Sequence, residues 1–499
     1  MSRDDVYIRN LFLDGVLITN TGTEYSSNRK QELCFFLTTP GVKWMVLLKQ
    51  NKPELPDGPY ICYEKGLMPV YRLQRDEAKA FLAALRPRLG PDRTTPQPFL
   101  PLYAASSLFD CTDIATPSRC HEIMTGANRR LRVAVKDIFR LEGLKTSLGN
   151  RSRYDVSSRA LQALQSSLLQ FEAPWNPRGD GYQCSGGPSS GSAAAVATYS
   201  WLDCAVGTDT AGGGRHPAMA NGIWQFRPSQ HLLDLRDMVA TYPPFDVPCL
   251  FSRELGHLRQ LFRSWIPSSA KPTMESGKSY EILYLLEYLP VSNSQQMALI
   301  DNFVSDASLC LSATVAKLSI RDLWETNHPV GTPDNVDEYL EEVITETYSY
   351  GFYHSNDEFC SVFAELNNAS KKKEVYKKWL HEILFLNRET EAVVILPVSN
   401  AVPKYCNERA PSPPPAETYS ALAGVFLQPI LGAPDIVVPI GDVPYHSKFT
   451  EEVEYLPVVV NIMGAPGTDY DLLEAVEKIM AASSRPTTVV TGSRMFSTQ

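Results

Sequence analysis

The strongest constraint on the fold is a segment dense in glycine, serine and alanine that runs from residue 179 to 214. Glycine adopts backbone conformations that other residues avoid and lets a ligand approach the backbone closely. Within this segment, Ser192–Trp201 has the character of a helix made of small residues, which can pack tightly. Upstream, the β-branched run Leu131–Val135 predicts a short buried strand that leads directly into Lys136. The segment therefore predicts tight strand and helix junctions around a ligand.

Strand-like and helix-like stretches alternate along most of the chain. Alternation of this kind predicts an α/β fold, in which helices cover both faces of a mixed or parallel sheet. The expected strands include residues 392–398, 435–440 and 456–462, and the expected helices are 157–171, 334–349, 368–386 and 469–481. The first hundred residues read mainly as strands, with a helix over 76–85 and a proline-rich linker over 91–98.

Composition disfavours one class of function, nucleic-acid binding. The chain has 499 residues, a net charge of −9 and 43% hydrophobic residues, as expected for a globular protein with a large core. An acidic chain is a poor partner for a phosphate backbone, so we predict no nucleic-acid binding. Five lysines form a basic stretch that we interpret as a solvated helix face: Lys371, Lys372, Lys373, Lys377 and Lys378.

The sequence contains no recognisable targeting or metal-binding motif. There is no secretory apolar run at the start and no stretch of spanning length, so we predict a cytoplasmic protein without membrane contact. The ten cysteines contain no C-x-x-C pair, which favours reduced thiols, and the eight histidines contain no H-E-x-x-H motif. We therefore predict no metal and no cofactor. The Gly-rich segment lacks the Gly-Lys-Ser/Thr ending of a phosphate-binding loop.

Three stretches in order resemble the amidase signature family. Residues 133–137 read VAVKD, residues 185–197 read SGGPSSGSAAAVA and residues 207–218 read GTDTAGGGRHPA. The tail from 456 to 467 is similar to the closing strand of that family, so the resemblance covers about 115–499. The stretch NGIWQFRP at 221–228 most resembles amidase-like chains of filamentous fungi, some of which carry an N-terminal extension.

The resemblance implies a domain organisation. A small strand-rich α+β domain is expected over 1–110, and an amidase-signature α/β/α domain with a large mixed central sheet over 115–499. A homodimer is possible through strand edges of the first domain.

The resemblance also implies a Ser–Ser–Lys mechanism of acyl transfer, in which a neutral lysine activates a serine nucleophile through a second serine. The base position carries Lys136. The relay serine and the nucleophile fall on Pro188 and Gly213, which have no hydroxyl group. Asp209 and Arg215 match residues that pair and brace the loop of the family. Two of three catalytic groups are therefore absent.

The same resemblance places the remaining candidate residues. Backbone N–H groups over Thr210, Ala211, Gly212 and Gly213 are expected to bind an oxyanion or substrate, and Ser189 and Ser190 lie in the neighbouring loop. Because proline lowers the cost of a cis peptide bond, we predict a cis Gly187–Pro188 bond that preserves the loop shape without the hydroxyl.

Three functions remain open. The first is a pseudo-amidase that binds a small molecule or a partner without chemistry. The second is a repurposed enzyme of fungal secondary metabolism, in which Lys136 removes a proton beside a carbonyl or forms a Schiff base, and the result is dehydration, cyclisation or isomerisation. The third is a hydrolase with a displaced nucleophile. For its candidates a structural role is favoured in each case: Ser189, Ser190, Thr210 and His216.

Overall fold

The computed structural model describes part of the chain. The described residues are 6, 15–19, 44–48, 58–63, 66–82, 84–89, 96–102, 113–119, 131–141, 146, 173–266, 279–349, 362–408 and 420–497. They divide into two compact units, one formed by 1–77 with 81–130 and the other by 78–80 with 131–499. The helix predicted over 157–171 lies outside the described residues.

The first unit contains paired strands. Its described strands are β1 (Gly15–Thr19), β2 (Trp44–Leu48), β3 (Tyr60–Tyr63), β4 (Gly66–Pro69), β5 (Tyr71–Arg75), β6 (Ala84–Leu89), β7 (Pro96–Leu102) and β8 (Asp113–Pro117). Strands β1 and β2 pair in parallel, while β3 with β4, β5 with β8 and β6 with β7 pair antiparallel.

Two predictions for this unit are wrong. The helix expected over 76–85 is replaced by a turn followed by β6, and the linker expected over 91–98 already contains the start of β7. The apolar spacing over 76–85 suited a helix, but Ala84 and Leu85 pair with β7 instead. The β6–β7 register shifts between Arg86 and Arg88, so Pro87 lies at an irregularity where a strand tolerates proline.

A nine-stranded sheet organises the second unit. Its strands are β9 (Val133–Val135), β10 (Cys204–Asp209), β11 (Trp224–Arg227), β12 (Val247–Ser252), β13 (Tyr280–Leu285), β14 (Thr314–Leu318), β15 (Glu391–Leu396), β16 (Asp435–His446) and β17 (Val453–Met463). The strand order is β14-β13-β15-β17-β16-β11-β12-β10-β9. Three neighbouring pairs are parallel and five are antiparallel, which confirms the predicted mixed sheet.

Helices pack on both faces of this sheet. Neighbouring residues of one strand, such as Ile282 and Leu283, belong to two different buried clusters, because successive side chains of a strand point to opposite faces. The described α-helices are Ser190–Thr198, Arg215–Asn221, Leu255–Trp265, Ser294–Leu311, Ile320–Asn327, Val336–Tyr339, Val362–His381, Leu427–Leu431 and Asp469–Ala482. A 3₁₀ turn covers Leu286–Tyr288, and π-helical turns cover Thr345–Ser349 and Glu382–Leu386. The two-sided cover confirms the predicted α/β/α class.

The predicted helices match to different degrees. Those expected over 469–481 and 368–386 are present, the second ending in a π-helical turn. The single helix expected over 334–349 is wrong, because this region contains the short helix Val336–Tyr339 and then the π-helical turn Thr345–Ser349.

The small-residue helix Ser190–Thr198 sits tightly against the sheet. Residues 192–197 are all buried. A Cβ atom on Gly207 of β10 would lie 2.9 Å from the Ser189 Oγ atom and 2.7 Å from the Phe251 ring. Only glycine fits at this contact, which brings the start of the helix against the strand that leads into the candidate site.

Candidate functional site

Lys136 follows β9 and reaches toward the neighbouring strand. Its backbone N–H donates to the Val206 carbonyl (2.9 Å). Its Nζ atom donates to Ser189 Oγ (3.0 Å) and to Thr208 Oγ1 (2.7 Å). The structure thus brings together the lysine and one serine of the Gly-Ser segment, which lie 53 positions apart in the chain.

The environment of Lys136 lowers the pKa of its side chain. Burial lowers the pKa of Lys136 from 10.5 to about 8, and the nearby carboxylates of Asp209 and Asp246 only partly oppose this shift. A half-buried ammonium group loses part of its hydration. Two neutral hydroxyl groups replace that hydration only in part, so the charged form is destabilised. At pH values near 8, a large fraction of this side chain is therefore a free amine.

We expect Lys136 to show this shifted titration directly. In competitive acetylation with acetic anhydride, followed by peptide mass spectrometry, the labelling rate of Lys136 should rise to half its maximum near pH 8. Because the folded-state pKa is lowered, the unfolded chain binds more protons between about pH 8 and 10.5, and this group's contribution to the free energy of unfolding rises with pH there. A midpoint above pH 10 would contradict the geometry.

The Ser189 hydroxyl uses all of its hydrogen-bonding capacity within the protein. It donates to the Thr208 carbonyl (3.0 Å) and accepts from the Thr208 N–H (3.2 Å) and from Lys136. Ser189 is 1% exposed. Because this hydroxyl already donates its proton and accepts two hydrogen bonds, we assign it a structural role and not that of a nucleophile. Ser190, the first residue of the adjoining helix, is half-buried.

Pro188 and Gly213 face each other at the two positions that lack a hydroxyl. The Gly187–Pro188 peptide is cis, which confirms the prediction. A Cβ atom on Gly213 would lie 2.7 Å from Pro188 Cδ and 3.4 Å from the Thr208 carbonyl oxygen. The proline ring thus occupies the space that a side chain at position 213 needs.

The loop over Thr210–Gly213 is shaped by Asp209. The Asp209 carboxylate accepts from the N–H groups of Gly212 (3.1 Å), Gly214 (3.2 Å) and Arg215 (2.9 Å). The expectation that Gly212 supplies a free N–H group is therefore wrong, because this N–H donates to the Asp209 carboxylate. The Thr210 hydroxyl donates to Asp246 (2.6 Å). Ala211 and Gly213 remain as candidate oxyanion donors.

Two arginines hold Asp209 in place. Arg215 binds the carboxylate with Nε (3.0 Å) and Nη2 (3.0 Å), and Arg227 Nη1 binds the Asp209 carbonyl (2.7 Å) and its carboxylate (3.3 Å). All three residues are fully buried. Burial alone would raise the pKa of Asp209, but the two guanidinium charges hold it well below its ordinary value. The sequence pointed to Asp209 and Arg215 and missed Arg227, which lies on a different strand.

His216 lies beside the same loop. A Cβ atom on Gly212 would lie 3.1 Å from His216 Cε1, and the His216 residue is exposed to solvent. The surrounding protein and the charge of Arg215 lower the pKa of His216 to about 4, so the ring is neutral at pH 7.

Thr208 and Asp246 are site residues that sequence reasoning did not assign. Thr208 bonds to Lys136, and Asp246 holds Thr210. The position of Thr208 directly before Asp209, in the strand that pairs with β9, was the available signal. Cys184 is exposed and Cys204 is buried.

Neither a metal centre nor a membrane span is seen in the described part of the chain. Among those residues, no three His, Cys, Asp or Glu side chains form a group able to hold a metal ion. None of the described helices combines the length and apolar character needed to cross a membrane.

Comparison with known proteins places this geometry in context. A family model described as Amidase matches residues 157–281. Amidase 1 of Oryza sativa subsp. japonica is 26% identical over 418 aligned residues, covering 70% of this chain and 89% of that protein. Amidase 1 of Arabidopsis thaliana is 32% identical over 157 residues, covering 26% of this chain and 36% of that protein.

A solved structure is similar in fold. The crystal structure of a glutamyl-tRNA(Gln) amidotransferase chain from Thermotoga maritima matches with a TM-score of 0.52 at 17% identity, covering 74% of this chain and 86% of that chain.

Proposed function

This chain belongs to the amidase signature family, and from that premise we propose that it does not hydrolyse amides by the serine route. Instead, Lys136 serves as the base for a small carbonyl compound. The observation that carries the proposal is a lysine with a pKa of about 8, bonded to two hydroxyl groups, next to a position that has no room for a nucleophilic side chain.

The loss of the serine route rests on four residues, of which two lack a hydroxyl group and two have a hydroxyl group that is already hydrogen-bonded. Gly213 has no side chain, and Pro188 fills the space beside it. The Ser189 hydroxyl donates to a backbone carbonyl, and the Thr210 hydroxyl donates to Asp246. Ser189 and Thr210 would each have to give up a buried hydrogen bond before attacking, which disfavours these two residues as displaced nucleophiles.

The remaining groups suit proton abstraction. Neutral Lys136 takes a proton from the carbon beside a carbonyl, and the electron pair of that C–H bond moves onto the carbonyl oxygen as an enolate. The N–H groups of Ala211 and Gly213 would stabilise that oxygen, because holding an enolate poses the same electrostatic problem as holding a tetrahedral oxyanion. Return of the proton to another carbon completes an isomerisation, and loss of a β-hydroxyl group as water completes a dehydration. Both are steps of secondary metabolism.

Proton exchange on a simple ketone tests this proposal. With 4-acetylbenzyl alcohol in D₂O, we expect the protein to accelerate methyl-proton exchange about 100-fold over buffer, as measured by ¹H NMR. The rate should rise with pH and level off above about 8, because only the neutral amine is active. Lys136→Met should remove the acceleration.

The control is Lys371→Met, which removes the same charge from an exposed position and should leave the rate unchanged. Exchange at the buffer rate in the unmodified protein would overturn the proposal and favour a non-catalytic binding scaffold. Hydrolysis of simple aryl amides by the unmodified protein would also overturn it, in favour of a displaced nucleophile.

A further inference from the structure

Lys373 is a buried lysine on a different element from Lys136. It belongs to the helix Val362–His381 and is 7% exposed, whereas Lys371 and Lys378 of the same helix are exposed. Its Nζ atom stands 5.2 Å from the ring centre of Phe245 and 5.8 Å from that of Tyr242. Within the described part of the chain, Lys373 forms no hydrogen bond and no ion pair.

The positive charge of Lys373 therefore has no anionic partner among the described residues. The faces of two aromatic rings attract an ammonium group, but they replace only part of its lost hydration. Burial accordingly lowers the pKa of Lys373, against a small opposing effect of Glu374. A buried cation of this kind is most stable when an anion lies against it.

The rings of Tyr242 and Phe245, which lie under Lys373, are linked to the candidate site by short contacts. Asp246, the neighbour of Phe245 in the chain, accepts a hydrogen bond from the Thr210 hydroxyl in the loop over Thr210–Gly213. The rings of Tyr242 and Phe245 both contact Tyr348, with centres 5.6 and 6.1 Å apart.

Tyr348 also leads to the loop over Thr210–Gly213 through a second set of contacts. Tyr348 contacts Phe426 (5.7 Å), and the preceding residue, Val425, lies 3.3 Å from where a Gly212 Cβ atom would be. Four half-buried residues pack on the second core cluster along this path, and we call them the apolar wall: Ala211, Tyr242, Tyr348 and Val425.

We propose that Lys373 binds a carboxylate group of the substrate, whose apolar middle lies along the apolar wall while its carbonyl group faces Lys136. The substrate class is thus a keto acid with an aromatic or aliphatic spacer between its two polar ends. The inference rests on the proposed function for the position of the carbonyl group, and on the contacts of Lys373 for the carboxylate.

Matched keto acids and keto alcohols test this inference. The probes are 4-acetylbenzoate, 4-acetylphenylacetate and 3-(4-acetylphenyl)propanoate, each paired with the compound that carries CH₂OH in place of the carboxylate. By isothermal titration calorimetry, the best-fitting acid should bind the unmodified protein at least about tenfold tighter than its alcohol, since a charge-assisted contact is made only by the acid.

The variants decide whether Lys373 is responsible. Lys373→Met keeps an apolar stem over the two rings and should reduce the preference for the acid below about twofold, while Lys373→Arg should keep part of it. Lys371→Met is the matched control and should keep all of it. Circular dichroism and thermal unfolding establish that each variant is folded.

Failure of this inference and failure of the proposed function give different results. Equal binding of acid and alcohol, no binding of any acid, or an acid preference that survives in Lys373→Met would overturn the carboxylate site, whether or not Lys136 exchanges protons. An acid preference that depends on Lys373, with no exchange attributable to Lys136, would leave the anion site standing and remove the proposed reaction.

Discussion

Gly213→Ser alone should destabilise the protein and yield no hydrolase. The new Cβ atom would lie 2.7 Å from Pro188 Cδ, and a ring carbon cannot swing aside as the end of a flexible side chain can. Forcing extra atoms into a packed contact costs about 1–3 kcal/mol, so we expect the free energy of unfolding to fall by about 2 kcal/mol in urea titrations. Hydrolysis of an aryl amide should stay at the buffer rate.

The double variant Pro188→Ser with Gly213→Ser gives the decisive comparison. Removal of the ring opens the space, so the double variant should be more stable than the sum of the single changes predicts, with a coupling of about 1–2 kcal/mol. It is also the one combination that restores both hydroxyl groups. Gly187→Ser is the control, because a Cβ atom there meets nothing within 4 Å. Additive effects would show that the two positions do not contact each other.

Asp209→Asn should have the larger effect on stability. The neutral amide leaves the buried guanidinium groups of Arg215 and Arg227 without their anion and weakens acceptance of three loop N–H groups. Removal of one partner from a buried ion pair costs about 3–5 kcal/mol, so we expect a strongly lowered urea midpoint or an unfolded product.

The matched control is Asp234→Asn. Asp234 also pairs with an arginine, but this pair is exposed, and its loss should change stability little. Because the pKa of Asp209 is lowered on folding, its contribution to stability is complete above the ordinary pKa of an aspartate and is lost as the pH falls below it. A similar midpoint shift for both variants would contradict the structural role assigned to Asp209.

The sequence was informative where its signal is periodic or locally dense. Alternating apolar runs predicted the strands over 435–440 and 456–462, which the structure extends to Asp435–His446 and Val453–Met463. The resemblance of residues 133–137 and 185–197 to the amidase signature led to Lys136 and Ser189. The cis bond at Pro188 followed from the family resemblance of the loop together with the low cost of a cis bond before proline.

Other features depend on contacts between distant residues, which one sequence does not reveal. Arg227 joins Asp209 from another strand, and nothing in its local pattern distinguishes it from a surface arginine. Lys373 belongs to a run of lysines that we interpreted as a solvated face, yet it alone among them is buried, because its position on the helix turns it toward Phe245. The donor of Gly212 was misjudged for the same reason, since the Asp209 carboxylate folds back beneath the loop.

The contact between Pro188 and Gly213 also constrains the order in which the two serines could have been replaced. In this backbone, a side chain at position 213 clashes with a proline at position 188. A lineage that once carried serine at both positions would therefore have acquired the glycine first, or both changes together. In the first of these orders, the nucleophile is lost before the relay, and the proline then hinders reversal, because a serine at position 213 alone would clash with the ring.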